Sequence, residues 1–119
     1  MAHDGRRAQP VFDLEALDRQ TAGDRALRFE IVRMFLEDCP TYVSTIRAAV
    51  QEGDAERIRT VAHKLKGAAG FLSASFVVEA AAHLETLGRE RRLDEAPAAL
   101  EQLDAAVMIL VPELRKVEP

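Results

Sequence analysis

Several residue types and kinds of segment are scarce in this sequence of 119 residues. It has no tryptophan and a single cysteine, Cys39, so a disulfide framework is excluded, and no Cys/His spacing typical of a metal site occurs. Its net charge of −4 comes from interspersed acidic and basic residues, which argues against a nucleic-acid-binding surface. No apolar run reaches the roughly 18 residues of a membrane span, and residues 1–10 lack the apolar segment of a signal peptide. We therefore expect a cytoplasmic protein.

Small and aliphatic side chains, in contrast, are abundant. Hydrophobic residues make up 48% of the chain and aromatic residues only 5%, a composition that favours helices packed closely through alanine. The length suits one domain with a single modest core. We expect residues 1–10, including His3, to form a disordered lead-in, and residues 11–119 to form the domain.

Apolar periodicity and helix-capping residues predict one short helix and four longer ones. The short helix follows an N-cap at Asp13, and the longer helices are predicted over about 25–50, 55–71, 74–88 and 95–114. Asp24 and Asp54 are the predicted N-caps of the first two long helices, and Ser73 and Asp94 are those of the last two. No stretch alternates polar and apolar residues for long enough to predict a strand. The sequence therefore predicts an all-α protein, an antiparallel four-helix bundle with up-down-up-down topology and a short additional N-terminal helix.

The long second helix contains a proline and a stripe of apolar residues. Pro40 removes one backbone hydrogen bond, so a kink is expected there. Because the apolar stripe resumes beyond Pro40 with little phase error, one bent helix is favoured over two separate helices. Cys39 is interpreted as a buried small hydrophobic residue. The residues predicted to be buried recur at three- and four-residue steps: Leu27, Ile31, Met34, Phe35, Tyr42, Ile46 and Ala49.

The third predicted helix separates into an apolar and a polar face when its residues are placed at about 100° per residue. Its apolar face holds Ile58, Val61, Leu65, Ala68, Ala69 and Leu72. Its polar face holds Glu56, Arg59, His63, Lys66, Gly67 and Gly70. His63 lies near the middle of the polar face, so its imidazole should be exposed, with Lys66 one turn further along. A lysine there could stabilise an anion carried on the ring.

Two glycines on the polar face of one helix call for an explanation, because each costs about 1 kcal/mol relative to alanine. One interpretation is structural: Gly67 and Gly70 fray the end of the helix or let a neighbouring helix approach. The other is functional: they leave space beside His63, so that a bulky partner can reach the imidazole.

The segment from His63 to Gly70 resembles the signature of histidine-containing phosphotransfer (HPt) domains, roughly His-x-Leu-Lys-Gly followed by two small residues. The wider similarity, in the order of helices and turns, runs from about Phe12 to Val117. The resemblance implies that His63 is the phosphoacceptor, that Lys66 stabilises the phosphoryl group and that Gly67 provides access for the partner. The sequence departs from the family pattern at Ser73, because many members have a small residue, usually glycine, ten positions after the histidine.

The resemblance also implies the function and the partners. His63 would exchange a phosphoryl group with aspartates of response-regulator receiver domains, or of a hybrid histidine kinase, in a two-component phosphorelay. We expect Arg59 and Gly70, on the same face, to contact the partner. The chain itself should lack ATP-dependent kinase activity and need no cofactor, because the divalent metal is expected only in the receiver domain. A monomer is expected, because each helix has one apolar stripe and that stripe is buried inside the bundle.

Three alternatives were weighed. A histidine kinase dimerisation domain also carries a phosphohistidine on a helix, but no proline closely follows His63 and no nucleotide-binding domain fits downstream. His83 could be the acceptor or, with His63, a metal ligand, but it lacks an adjacent lysine or glycine, and carboxylate or thiolate partners are missing. A helical adaptor would bind a partner without phosphorylation of His63; degenerate adaptors usually lose the acceptor or its basic neighbour, and this chain keeps both.

Overall fold

The computed structural model describes residues 11–119, which form five α-helices and one short 3₁₀ turn. The helices are α1 (Leu14–Gln20), α2 (Arg25–Glu52), α3 (Ala55–Phe71), α4 (Ser75–Arg89) and α5 (Ala96–Leu114), and the 3₁₀ turn, Leu93–Glu95, precedes α5. The described residues contain no strand, and no helix among them is long and apolar enough to cross a membrane. The lead-in predicted for residues 1–10 lies outside the described residues.

The four long helices pack around one core, as the predicted bundle requires. Helix α3 packs against α2 and α4, and α5 packs against α4 and α2, while α1 packs against α2. The all-α bundle with a short additional N-terminal helix is thereby confirmed. The largest fully buried side chains come from all five helices and include Leu17, Ile46, Ile58, Leu65, Leu84, Leu87, Leu103 and Leu110.

Aspartates start the first three helices, as predicted. The carboxylates of Asp13, Asp24 and Asp54 each accept a hydrogen bond, at 3.0 to 3.1 Å, from the backbone N–H three residues further on. Each bond satisfies one of the N–H groups left without a partner in the first helical turn. Gly53, between α2 and α3, has a φ of 69°, which places it in the left-handed region where glycine is favoured.

The N-caps predicted at Ser73 and Asp94 were wrong. Ser73 has a φ of 55° and closes the C-terminus of α3: its N–H donates to the Gly70 carbonyl, and the Ala74 N–H donates to the Ala69 carbonyl. This is a Schellman motif, and its left-handed residue cannot at the same time have the extended backbone of an N-cap. Asp94 lies inside the 3₁₀ turn, and neither α4 nor α5 has a side-chain cap.

Helix α2 continues from Arg25 to Glu52 with Pro40 inside it, which confirms one helix rather than two; the kink stays a prediction. Cys39 is buried, as predicted, and burial raises the pKa of its thiol to about 11. The predicted buried stripe was partly wrong, because Leu27 is 46% and Met34 is 50% exposed. The inward face of α2 is centred instead on Val32, Phe35, Cys39, Ile46 and Ala49, which leaves Leu27 and Met34 at its side.

Helices α3 and α4 approach each other closely at Gly88. A Cβ atom at this position would lie 2.7 Å from the Ala55 carbonyl oxygen and 2.8 Å from the Arg59 backbone nitrogen. No side chain fits in that space, so glycine is required for this close contact. Glu85, one turn before Gly88 on α4, lies beside the polar face of α3.

Candidate functional site around His63

The imidazole of His63 is exposed and held at one nitrogen. Its side chain is 64% exposed, as predicted from the polar face of α3. The ring Nδ1 lies 2.9 Å from Oε2 of Glu85, which projects from α4. The ring is therefore open to a partner protein but tied to the neighbouring helix.

Glu85 is the centre of a small charged cluster. Its side chain is only 8% exposed, and its two oxygens have different cationic neighbours. Lys66 Nζ lies 2.7 Å from Oε1, whereas His63 Nδ1 lies at 2.9 Å and an Arg89 guanidinium nitrogen at 3.5 Å from Oε2. A buried carboxylate is stable as an anion only when it is paired in this way.

The protonation of this cluster follows from its contacts. The hydrogen bond from Lys66 lowers the pKa of Glu85 most; burial opposes this effect, and the hydrogen bond from His63 adds to it, so the pKa lies below its ordinary value. An ionised carboxylate can only accept hydrogen bonds, so His63 must donate from Nδ1. In the neutral ring, Nε2 then carries the free lone pair and is the nucleophilic nitrogen.

Gly67 and Gly70 leave open space on the face that carries His63. Both are exposed, and a Cβ atom built on either would meet, among residues 11–119, no atom within 4 Å outside its own helical turn. No neighbouring helix uses them for close packing, and α3 continues regularly to Phe71. The explanation by close approach of a neighbouring helix is thus excluded among the described residues, whereas the space that the functional explanation requires is present.

The other residues that the sequence points to differ in their contacts and their exposure. Lys66 is half-buried and contacts Glu85. Arg59 forms an ion pair with Glu56, one turn earlier on α3. His83 is exposed on α4. Across residues 11–119, no three His, Cys, Asp or Glu side chains are grouped so that they could hold a metal ion.

Sequence reasoning missed Glu85 and Gly88. Within α4, Glu85 adjoins the buried Leu84, and a charged residue beside an apolar stripe was the one available signal. Its pairing with His63, 22 residues earlier, depends on the relative positions of α3 and α4. Periodicity within a single helix cannot show how two helices pack, nor the close contact between them at Gly88.

An apolar groove lies between α2 and α3, on the side of Phe71. We call it the α2–α3 groove; it has a volume of about 200 Å³ and is lined by Ile31, Met34, Phe35, Asp38, Ala68, Phe71 and Leu72. Phe71 is 43% exposed at its rim. Because Phe71 follows His63 by eight residues on one helix, this rim residue of the groove lies about 12 Å from the histidine along the helix axis.

Comparisons with known proteins identify the family of this chain. The model of the Hpt domain family matches residues 30–111. The crystal structure of histidine-containing phosphotransfer protein B from Pseudomonas aeruginosa PAO1 superposes with a TM-score of 0.84 at 25% sequence identity, covering 90% of this chain and 93% of that one. No curated protein matches the sequence. The chain therefore belongs to the Hpt domain family and has a histidine phosphotransfer role in phosphorelay signalling.

Proposed function

We propose that His63 is the phosphoacceptor of this chain, and that it exchanges a phosphoryl group with aspartates of response-regulator receiver domains. The observation that carries the proposal is the 2.9 Å hydrogen bond between His63 Nδ1 and the buried carboxylate of Glu85. It holds an exposed imidazole in one orientation with Nε2 free. Attack on a phosphoryl group bound to another protein requires a nucleophile of this kind.

The transfer needs little from this chain beyond a positioned nucleophile. The Nε2 lone pair attacks phosphorus in line, while the bond between phosphorus and the aspartyl oxygen breaks and its electron pair leaves with the carboxylate. We assign no cofactor to this chain, because the divalent cation that neutralises the phosphoryl oxygens is expected in the receiver domain. On this proposal the chain is a phosphotransfer intermediate without ATP-dependent kinase activity.

Four further residues of α3 have roles in the proposal. Lys66 supports the phosphoryl state of His63 from the adjacent turn. Gly67 leaves room for the partner backbone and side chains, which is supported by the empty space around its Cα. Arg59 and Gly70, before and after the acceptor on this helix, are assigned to partner docking.

We also assign the α2–α3 groove to the receiver domain. A partner that brings an aspartyl phosphate to His63 must cover the neighbouring surface of α3, and the groove is the apolar part of that surface. Exposed Met34 and Phe71 provide the kind of contact on which protein interfaces depend most.

The groove can be tested with two matched phenylalanine variants. Phe71→Ser should weaken receiver binding by about tenfold, the loss typical of a moderate interface anchor. Phe76→Ser is the control, because Phe76 is 39% exposed but lines a different groove, between α4 and α5. Equal losses in the two variants, measured by calorimetry with one receiver domain, would contradict the assignment.

The proposal includes the cytoplasmic location and the monomeric state that we expect from the sequence, and a hybrid histidine kinase as a partner that exchanges the phosphoryl group. The oligomeric state can be checked by analytical ultracentrifugation, where a monomer should sediment with a mass near 13.2 kDa.

The experiment that tests the proposal is phosphoryl transfer from a panel of phosphorylated receiver domains to three proteins: the wild type, His63→Gln and His83→Gln. The wild type and His83→Gln should acquire an acid-labile, base-stable label, whereas His63→Gln should acquire none while still binding the receiver. A labelled His63→Gln protein would refute the assignment of the acceptor. Binding without label from any receiver would favour the helical adaptor.

A further inference from the structure

The two oxygens of Glu85 link Lys66 to His63. Oε1 accepts from the Lys66 ammonium at 2.7 Å and Oε2 accepts from His63 Nδ1 at 2.9 Å, so one carboxylate joins the two residues. We propose that Lys66 acts on phosphotransfer through Glu85: it holds this carboxylate against the Nδ1 proton of His63, and both are positioning residues for one tautomer of the ring. This inference rests on the proposed function, since it assigns the route by which Lys66 assists His63.

Burial explains why Glu85 needs Lys66. At 8% exposure the carboxylate has little water to solvate it, so its charge must be balanced by protein groups. Among the described residues, His63 and Lys66 from α3 and Arg89 from α4 contact it, and Arg59 of α3 is near enough for the two charges to interact. Arg59 is paired with Glu56, and Arg89 is more than half exposed and 3.5 Å away. Lys66 is therefore the principal counter-ion.

The same geometry argues against a purely direct action of Lys66 on the phosphoryl group. That group forms on Nε2, the ring nitrogen opposite to the one that faces Glu85. An ammonium that turned to the phosphoryl group would weaken its hydrogen bond to Oε1, and the buried carboxylate would lose part of the charge that balances it. Direct contact with the phosphoryl group thus competes with the ion pair that the structure contains.

The hydrogen bond between Glu85 and Nδ1–H also affects the charge on the His63 ring during transfer. The Nδ1 proton stays on the ring when Nε2 forms its bond to phosphorus, so the ring gains a positive charge as the aspartyl carboxylate departs with its electron pair. Glu85, hydrogen-bonded to Nδ1–H, stabilises this developing charge, because a fixed anion in a poorly solvated position acts strongly. On the return transfer the charged ring is the leaving group and becomes neutral again, with the proton still on Nδ1.

A double-mutant cycle on the transfer rate separates the two routes. Lys66→Met should slow phosphoryl acceptance by about tenfold in the wild-type background, the loss seen when a residue that orients a reactive group is removed. In the Glu85→Gln background the same change should alter the rate by less than about twofold, because a neutral amide needs no counter-ion. An equal fold-loss in both backgrounds would mean that Lys66 acts on the phosphoryl group directly and would overturn the proposal.

A second measurement tests the inference without any phosphoryl transfer. Long-range ¹H–¹⁵N NMR reports which nitrogen of His63 is protonated, at about pH 8.5, where histidine rings are neutral. The wild type should show the proton on Nδ1. Glu85→Leu should move it largely to Nε2, and Lys66→Met should increase the Nε2–H population.

Lys64→Met is the control for these spectra, because Lys64 is exposed on α3 next to His63 and should leave the tautomer unchanged. A wild-type ring protonated on Nε2, or a tautomer insensitive to Lys66→Met, would overturn the inference. If instead His63 takes no phosphoryl group but the spectra behave as expected, the proposed function fails while the positioning of the ring by Glu85 and Lys66 stands.

Discussion

Replacing Gly67 should move stability and phosphotransfer in opposite directions. The residue lies in the interior of α3 and is exposed, and no atom of the described part of the chain outside its own helical turn lies within 4 Å of the place where a Cβ would be. Gly67→Ala should therefore gain the full difference in helix propensity, about 1 kcal/mol, which corresponds to a rise in melting temperature of roughly 4 °C for a domain of this size. Gly67→Gln should gain nearly as much, because glutamine is also a good helix former.

The two variants should differ in transfer. Gly67 follows His63 by four residues, so its side-chain position lies about 6 Å along the axis and about 40° around the helix from the imidazole. A glutamine there occupies the space through which the receiver must approach, and we expect a loss of about tenfold or more in transfer rate because the reacting atoms are kept apart. Gly67→Ala, with one methyl group, should lose much less.

Urea denaturation followed by circular dichroism gives the stability of each variant, and single-turnover transfer from one phosphorylated receiver gives the rate. A Gly67→Gln protein that is stabilised but transfers at the wild-type rate would refute our explanation for the exposed glycine. A destabilised Gly67→Ala protein would instead show that the space around Gly67 is filled in solution.

Three further predictions follow from single positions. Gly88→Ala should destabilise the fold by about 1–3 kcal/mol in urea denaturation, because its Cβ would overlap the Ala55 carbonyl; an unchanged stability would contradict the tight α3–α4 contact. Ser73→Gly should stabilise the fold by about 1 kcal/mol, since φ is 55° there, whereas Gly53→Ser at the matching turn after α2 should destabilise it. A change of the opposite sign in either variant, measured by the same urea denaturation, would contradict this. The pKa of Glu85 is lowered from 4.5, so its ionised form stabilises the fold fully above that pH. As the pH falls to about 3, the free energy of unfolding of the wild type should therefore decrease relative to that of Glu85→Gln. A pH-independent difference would refute this.

The features that the sequence predicted correctly are those determined within one helix or one turn. The aspartate caps depend on residues three positions apart. The exposure of His63 and the burial of Leu65 follow from the periodicity of α3 alone. These properties need no knowledge of how the helices are arranged.

The predictions that failed depend on contacts between helices or on backbone conformation. Leu27 and Met34 fit an apolar stripe, but the neighbours of α2 cover a different part of its circumference. Ser73 is a good N-cap residue by type, but it occupies the left-handed position that ends α3. The partnership of Glu85 with His63 requires two helices in a fixed register, and no local pattern specifies that register.

The central claim, that His63 carries the phosphoryl group, is tested most directly by locating that group on the protein. The wild-type chain would be phosphorylated by a receiver domain, digested at a pH at which phosphohistidine survives, and mapped by tandem mass spectrometry. Our account predicts one modified residue, His63, with His3 and His83 unmodified. A phosphoryl group on His83 or on any residue other than His63 would contradict it.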